Sequence, residues 1–309
     1  MKRSVLVTTS TFDLKNFRDL EMLELAKIDV VLNPLKRRLT EDEVSSLLTG
    51  DVVGMIAGLE PLTKMVLNRA PSLKIIARCG TGLDSVDVDA AAILGISVFN
   101  TPDAPTRAVA ELTIGHILGL LRHISEADRN IRAGRWSGIM GSLLHGKTLG
   151  IVGYGRIGKA VGQLALAFGA TVIVSDAMPT ADENVKQVAL NDLFEQSDVI
   201  SLHLPYTAES HHIVDGAAIA LMKPTALLIN VSRGGLIDEA ALCLALQNSG
   251  IAGAALDCFE TEPYTGPLLN LENVHVTAHM GSYARETRDQ MEIDASAALV
   301  KGLKEKGFL

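Results

Sequence analysis

Three polar side chains in the last third of the chain have the types and setting for proton transfer at a carbonyl oxygen. They are Arg233 in N-V-S-R-G-G-L-I-D-E, Glu262 in D-C-F-E-T-E-P and His279 in T-A-H-M-G-S-Y. Histidine changes charge near neutral pH, so it can take up or release a proton. A carboxylate beside it orients the imidazole and favours the imidazolium. Arginine stays charged, and its planar fork matches a carboxylate or a carbonyl oxygen. Each of the three follows a short apolar run, at 226–230, 252–256 and 274–277. In parallel α/β sheets, ligands bind outside the carboxyl ends of the strands. Arg233 also has a structural reading, as an ion pair with Asp238 or Glu239, but the shared position of the three at strand ends favours catalysis.

The elements that must position them begin upstream. Residues 147–158 read K-T-L-G-I-V-G-Y-G-R-I-G. The apolar run 149–152 leads into Gly153, Gly155 and Gly158, a helical segment spans 156–168, and a second apolar run at 171–174 ends at Asp176. Strand, glycine turn, helix, strand and acid form a dinucleotide-binding unit. Gly153 permits the tight turn, Gly155 lets the backbone approach a pyrophosphate, and Gly158 lets the helix pack on the strand. The helix amino end offers free N–H groups to phosphate. Asp176, about 20 residues beyond the glycines, suits a ribose diol and repels the extra phosphate of NADP. With strands expected at 149–152, 171–174, 199–202, 226–230, 252–256 and 274–277, this part reads as a six-stranded doubly wound sheet.

The first hundred residues repeat the β-α alternation, with strands expected at 5–8, 30–32, 53–56, 74–77 and 97–99 and helices near 15–27, 41–48, 64–68 and 88–94. Thr40 and Glu43 have capping-box spacing. Residues 78–84 read R-C-G-T-G-L-D after a strand. Backbone amides from Gly80 to Gly82 can form an anion nest for a substrate carboxylate. Arg78 is a second anion-binding candidate, and Cys79 adjoins the same turn, more as a space-filler than as a reactive group. The proline-rich stretch 100–105 reads as a hinge. A single long helix is expected over 106–133. It is apolar on every side and so is buried on every side, either partly against a second copy of the chain or wholly within its own core. His116 and His123 on it read as interface or surface groups. A last helix over 284–304 is expected to return to the first domain. The organisation is therefore a nucleotide-binding domain, 101–285, inserted into a discontinuous domain, 1–100 with 286–309.

The 309 residues are 48% hydrophobic, with formal net charge −8. That charge argues against nucleic acid or an anionic membrane surface as main partner. Three cysteines without a C-x-x-C spacing argue against a disulfide framework or zinc knuckle and fit a cytoplasmic location. The amino terminus lacks a signal-peptide apolar run, and no stretch reaches the ~20 apolar residues that span a bilayer. His211–His212 has no clustered carboxylates or cysteines, so no metal is expected there. The serines lack a nucleophile-elbow context.

Taken together, R-C-G-T-G-L-D, A-V-A-E-L-T (108–113), G-R-W (134–136), the glycine motif, H-L-P-Y-T (203–207), N-V-S-R-G-G-L-I-D-E, A-A-L-D-C-F-E-T-E-P and H-M-G-S-Y resemble the D-isomer-specific 2-hydroxyacid dehydrogenases, nearest the D-3-phosphoglycerate dehydrogenase-like branch. The resemblance implies two doubly wound parallel α/β domains, a Rossmann domain for NAD and a flavodoxin-like substrate domain. It implies a hydride exchanged between nicotinamide and a small D-2-hydroxy acid/2-oxo acid pair, and a homodimer through the 106–133 helix. It gives Arg233, Glu262 and His279 the catalytic roles. Asp257, Val231 and Ser232 match positions holding the nicotinamide carboxamide, Arg156 and Ile157 the pyrophosphate turn, and Leu204 and Pro205 the adenosine side. Thr81 matches a cofactor contact from the substrate domain, and Gly281 is counted with the cofactor positions. Three departures stand out. Ala278 replaces a proline before the histidine. The loop 58–61 carries Glu60, which would repel a phosphate it faced, where some phosphoglycerate enzymes carry arginine. No carboxy-terminal regulatory domain is expected after the last helix. A glyoxylate or hydroxypyruvate reductase is the alternative enzyme reading, and an NAD(H)-sensing binding protein a reading of another class.

Overall fold

Strands buried on both faces read as continuous apolar runs. In the computed structural model, which describes residues 3–309, those runs build two parallel sheets. The chain divides into two compact units, Met1–Pro105 with Ser282–Leu309, and Thr106–Gly281. These divisions lie a few residues from the expected ones at 100/101 and 285/286.

In the first unit, β1 (Arg3–Val7), β2 (Ile28–Leu32), β3 (Val52–Ala57), β4 (Ile75–Arg78) and β5 (Ser97–Asn100) lie in the order β2-β1-β3-β4-β5, all parallel. This is the flavodoxin-like order. Side chains alternate across a strand: Leu6 packs on one face, with Val44, Leu67 and Ala90 from helices α2 (Glu41–Leu47), α3 (Lys64–Asn68) and α4 (Val88–Ile93). Val5 and Val7 pack on the other. Thr40 caps α2 in a complete capping box with Glu43. The helix expected over 15–27 is broken into a 3₁₀ turn at Leu14–Asn16 and α1 (Leu20–Leu25), with Asp19 at φ 56° between them. Tertiary ties override local propensity here. The N–H of Asp13 and the side chain of Asn16 donate to buried Glu292, and the N–H of Arg18 donates to Ser296.

In the second unit, the helix expected over 106–133 is two helices, α5 (Thr106–Leu121) and α6 (Ile124–Arg132), separated by His123 at φ 52°. The Leu121 carbonyl accepts the N–H of Ser142 at 2.8 Å, which takes it out of the helical ladder. Val109, Ile114, Ile117 and Leu120 of α5 are covered within this unit by the β-sheet and α7 (Arg156–Ala167). The exposed apolar groups lie beyond the break: Ile124, Ile131, Trp136, Met140 and Leu143. The sheet comprises β6 (Thr148–Val152), β7 (Thr171–Ser175), β8 (Lys186–Gln187), β9 (Val199–Leu202), β10 (Leu227–Asn230), β11 (Gly253–Leu256) and β12 (Val274–Val276). Helices α8 (Leu190–Gln196), α9 (Gly216–Leu221) and α10 (Glu239–Gln247) connect them. The order is β12-β11-β10-β9-β6-β7-β8, seven strands instead of six, because the two exposed residues of β8 add an edge. The order reverses between β6 and β9, the switch point where such sheets bind ligands.

The final helix, α11 (Arg285–Glu305), belongs to the first unit, where Leu299, Val300 and Leu303 join the Val5–Val7 face. Gly54 and Gly302 permit the close approach: a Cβ at either would lie 2.7 Å from Leu299 or Ile75. Among the described residues no helix is long and apolar enough to cross a membrane.

Candidate active site

Strand register brings the second unit's polar residues to one edge. Val152 pairs with Ser175 on one side and Leu202 on the other. Gly153, Asp176 and His203–Leu204 therefore leave three neighbouring strand ends together. Gly153 has φ 91°, and a Cβ there would meet the His203 carbonyl at 2.7 Å and Leu204 at 2.9 Å. A Cβ on Gly158 would lie 2.2 Å from the Gly153 carbonyl. Only glycine fits either place. Gly155 is the α7 N-cap, exposed, with nothing within 4 Å of the Cβ position, and Arg156 and Ile157 begin the helix. The first N–H groups of a helix have no intrahelical acceptor, and this helix start is uncrowded at Gly155. Asp176 Oδ2 accepts the Tyr154 N–H at 2.6 Å and Oδ1 the Met178 N–H at 2.8 Å. A carboxylate has about four acceptor positions, so each oxygen keeps one for a ribose hydroxyl. Turn, helix start and acid therefore fit a dinucleotide. Pro205, beyond Leu204, is exposed.

Two residues that sequence reasoning passed over hold this region. The buried Tyr154 ring sits against Gly162, and its hydroxyl donates to Asp182 at 2.9 Å. Burial first, then that hydrogen bond, raises the phenol above its ordinary value. Gln187 of β8 donates to the carbonyls of Asp176 and Met178 and accepts the Thr180 N–H, which fixes the turn that carries the acid.

The other half of the sheet carries the proton-transfer candidates. Asn230, Leu256 and Val276 are in register on β10, β11 and β12. Arg233, Asp257 and His279 thus emerge from adjacent strands spaced about 4.8 Å apart. Asn230 shapes the first turn: its side chain accepts the Ser232 N–H at 3.0 Å and donates to the Arg233 carbonyl at 2.8 Å. Ser232 Oγ donates to the Leu202 carbonyl, Val231 is buried, and Arg233 Nη1 donates to the Ser232 carbonyl at 2.7 Å. His279 Nδ1 stands 3.0 Å from each oxygen of Glu262. Both side chains are partly exposed, 29% and 24%, so the pair is open to a ligand. Glu262 Oε1 also accepts the Phe259 N–H at 3.2 Å. Asp257, 1% exposed, accepts from Thr277 Oγ1, Met280 N–H and Gly281 N–H and leaves an acceptor position on Oδ2. Cys258 lies in the field of Asp257, Arg233 and Glu262. Burial chiefly, then Asp257, drives its thiol well above the ordinary value, so it is no nucleophile.

In the first unit the turn after β4 differs in detail from the expected nest. The Gly80 N–H donates to Thr101 Oγ1 at 2.8 Å and is not open to an anion. Among the described residues the Thr81 and Gly82 amides have no internal acceptor, so the nest narrows to those two. Thr81 is held from behind, its carbonyl accepting from Asn100 Nδ2 at 2.7 Å. Arg78 is buried, donates to the Cys79 carbonyl and lies against Gly80, where a Cβ would collide with the guanidinium. It braces the turn from inside. Cys79 is buried, and burial raises its thiol to about 11, as suits a space-filling role. Glu60 is 1% exposed and its Oε1 is bound by Thr8 Oγ1 and the Gly58 N–H. It does not present a charge to solvent. His116, expected as a surface or interface group, is buried and contacts Thr277.

A dinucleotide fold whose strand ends carry a histidine–carboxylate pair and an arginine defines an NAD-linked oxidoreductase. Residues 114–281 match the D-isomer specific 2-hydroxyacid dehydrogenase NAD binding domain. A hydroxypyruvate reductase of Thermotoga maritima is 38% identical over 292 residues, 92% of this chain and 95% of that protein. The D-3-phosphoglycerate dehydrogenase of Methanocaldococcus jannaschii is 40% identical over 275 residues, but this chain spans only 51% of its length. The crystal structure of the TT0316 protein from Thermus thermophilus superposes with TM-score 0.89 at 36% identity, covering 98% of this chain and 97% of that one. The chain belongs to the D-isomer-specific 2-hydroxyacid dehydrogenase family.

Proposed function

We propose that His279 is the acid–base group of reversible D-2-hydroxy acid oxidation and that Glu262 orients it. The supporting observation is that His279 Nδ1 faces both Glu262 oxygens at 3.0 Å, which leaves Nε2 for the substrate. Bound NAD supplies the hydride acceptor, and NADH the donor. Gly153, Gly155, Arg156, Ile157 and Gly158 hold the pyrophosphate, Asp176 the adenosine ribose beside Leu204 and Pro205, and Asp257, Val231, Ser232 and Gly281 the nicotinamide end. Arg233 binds the substrate's carboxylate and polarises its C2 oxygen. Within the first unit, the Thr81 and Gly82 amides form a seat for an anionic oxygen. In reduction, His279 delivers a proton from Nε2 to the C2 oxygen, and in oxidation it takes the proton back.

The substrate is a small 2-oxo acid. 3-Phosphohydroxypyruvate remains in the set, but two observations favour glyoxylate or hydroxypyruvate. The loop 58–61 offers a buried Glu60 in place of a cation, and Arg78 faces inward. The similar hydroxypyruvate reductase also matches over nearly its whole length. A second copy of this chain is the expected partner, covering Ile124, Ile131, Trp136, Met140 and Leu143. Three free, buried cysteines support a cytoplasmic location. The test is NADH oxidation over glyoxylate, hydroxypyruvate, 3-phosphohydroxypyruvate and pyruvate. Turnover with at least one supports the reading, and tight NADH binding without turnover on any would make the chain a cofactor sensor.

A further inference from the structure

The loop that presents His279 has an unusual backbone. His279 itself is at φ 50°, a left-handed conformation that is strained for a non-glycine residue and needs outside support. Its N–H donates to the Asp257 carbonyl at 2.7 Å. The Asp257 carboxylate gathers the rest of the loop, through Thr277 Oγ1 at 2.6 Å and the N–H groups of Met280 and Gly281 at 2.8 Å each. Behind Thr277 stands a further residue. His116 of α5, 7% exposed, places Nε2 3.2 Å from Thr277 Oγ1.

Counting protons sets the direction of each bond. A carboxylate only accepts, so the single hydroxyl proton of Thr277 goes to Asp257. Thr277 Oγ1 then meets His116 with a lone pair and requires an N–H there. A neutral imidazole has one N–H, on one nitrogen or the other. We infer that His116 is a positioning residue for the acid–base step, a neutral imidazole locked as the Nε2–H tautomer, which donates to Thr277 and through Thr277 and Asp257 fixes the loop carrying His279. Burial lowers its basicity, with the Asp257 charge partly opposing, and keeps the ring neutral. Packing supports the same geometry: a Cβ on Gly281 would touch Asp257 Oδ2 and Val109 of α5 at 3.3 Å each, so α5 lies directly against the loop. The inference rests on the proposed role of His279.

Two measurements test it together. In the ¹⁵N-histidine-labelled protein without cofactor, the His116 signals, assigned by their loss in His116→Gln, should show a neutral ring protonated at Nε2. In NADH-dependent reduction of the best 2-oxo acid, His116→Leu should lower kcat about tenfold, with KM for NADH within about twofold, and His116→Gln, which keeps an N–H near Nε2, should restore most of it. The effect of His116→Leu should vanish in a Thr277→Val background, whereas Thr277→Ser should preserve it. If His116→Leu does not fold, the Thr277 pair and the tautomer decide. An Nδ1–H or doubly protonated ring at neutral pH, equal loss in His116→Leu and His116→Gln, or additive losses with Thr277→Val would overturn the inference. Full turnover in His279→Ala would instead remove the reading beneath it, and the tautomer result would still stand on its own.

Discussion

His279 Nδ1 lies 3.0 Å from both oxygens of Glu262, so one ring nitrogen is committed to the carboxylate and the other is left to chemistry. The pairing is not a by-product of burial, since both side chains keep about a quarter of their surface. Sheet register carries the histidine to the end of β12, beside the β11 end from which the Glu262 loop departs. A two-oxygen partner fixes the orientation of the ring, as the proposed acid–base role requires.

Glu262→Gln keeps the shape and removes the charge. It should lower kcat for 2-oxo acid reduction by about tenfold or more, with little change in KM for NADH, as measured by steady-state kinetics. Unchanged kcat would show that the carboxylate charge plays no part.

Asp176 holds the Tyr154 and Met178 amides and has acceptor capacity left for a ribose diol. Asp176→Ala should raise the ratio of kcat/KM for NADPH over NADH by about tenfold or more. Gln187→Ala, which frees the same turn, should move the ratio in the same direction by less. A ratio unmoved by Asp176→Ala would place cofactor selection elsewhere.

Burial lowers His203 from its ordinary value to about 3, and its Nδ1 is buried without a partner. Burial lowers His116 and His275 as well. The unfolded chain takes up these protons below about pH 6.5, while the native ring of His203 resists until about 3. The stability they contribute is therefore complete above pH 6.5 and is lost as pH falls toward 3. Tm should drop between pH 7 and pH 5, and His203→Gln should flatten the drop. A Tm independent of pH across that range would mean that these rings protonate in the folded protein.

Trp136 and Met140 are 91% and 93% exposed, well beyond what single surface apolar groups need. Sedimentation should show a dimer of the 32.9 kDa chain, and Trp136→Glu with Met140→Glu should shift it to monomer. A monomeric parent protein would remove the dimer, and a double variant that stays dimeric would place the partner surface elsewhere.

Much of this arrangement is legible in the sequence because buried parallel strands announce themselves as Val/Ile/Leu runs, and the polar residue just past such a run sits at a strand end. That logic places Gly153, Asp176, Arg233, Asp257 and His279 on one edge. It fails where polar atoms are satisfied over distance. Thr101 fills the Gly80 amide from 21 residues away, and Glu60 turns inward to Thr8 across 52. Neither tie leaves a local pattern. β8 escapes a search for apolar runs because its two residues, Lys186 and Gln187, are exposed and polar. The break at His123 is hidden because a histidine, with no glycine or proline beside it, takes the left-handed turn. His116 looks like a surface group in the sequence since only the packed structure shows Thr277 in need of a donor.

The most direct test is kcat for NADH-dependent reduction of the best 2-oxo acid by His279→Ala, with NADH affinity measured alongside by fluorescence titration. Loss of about 10²–10⁴-fold in kcat with NADH binding largely retained is the expected result. Turnover within a few fold of the parent enzyme would contradict proton transfer at His279.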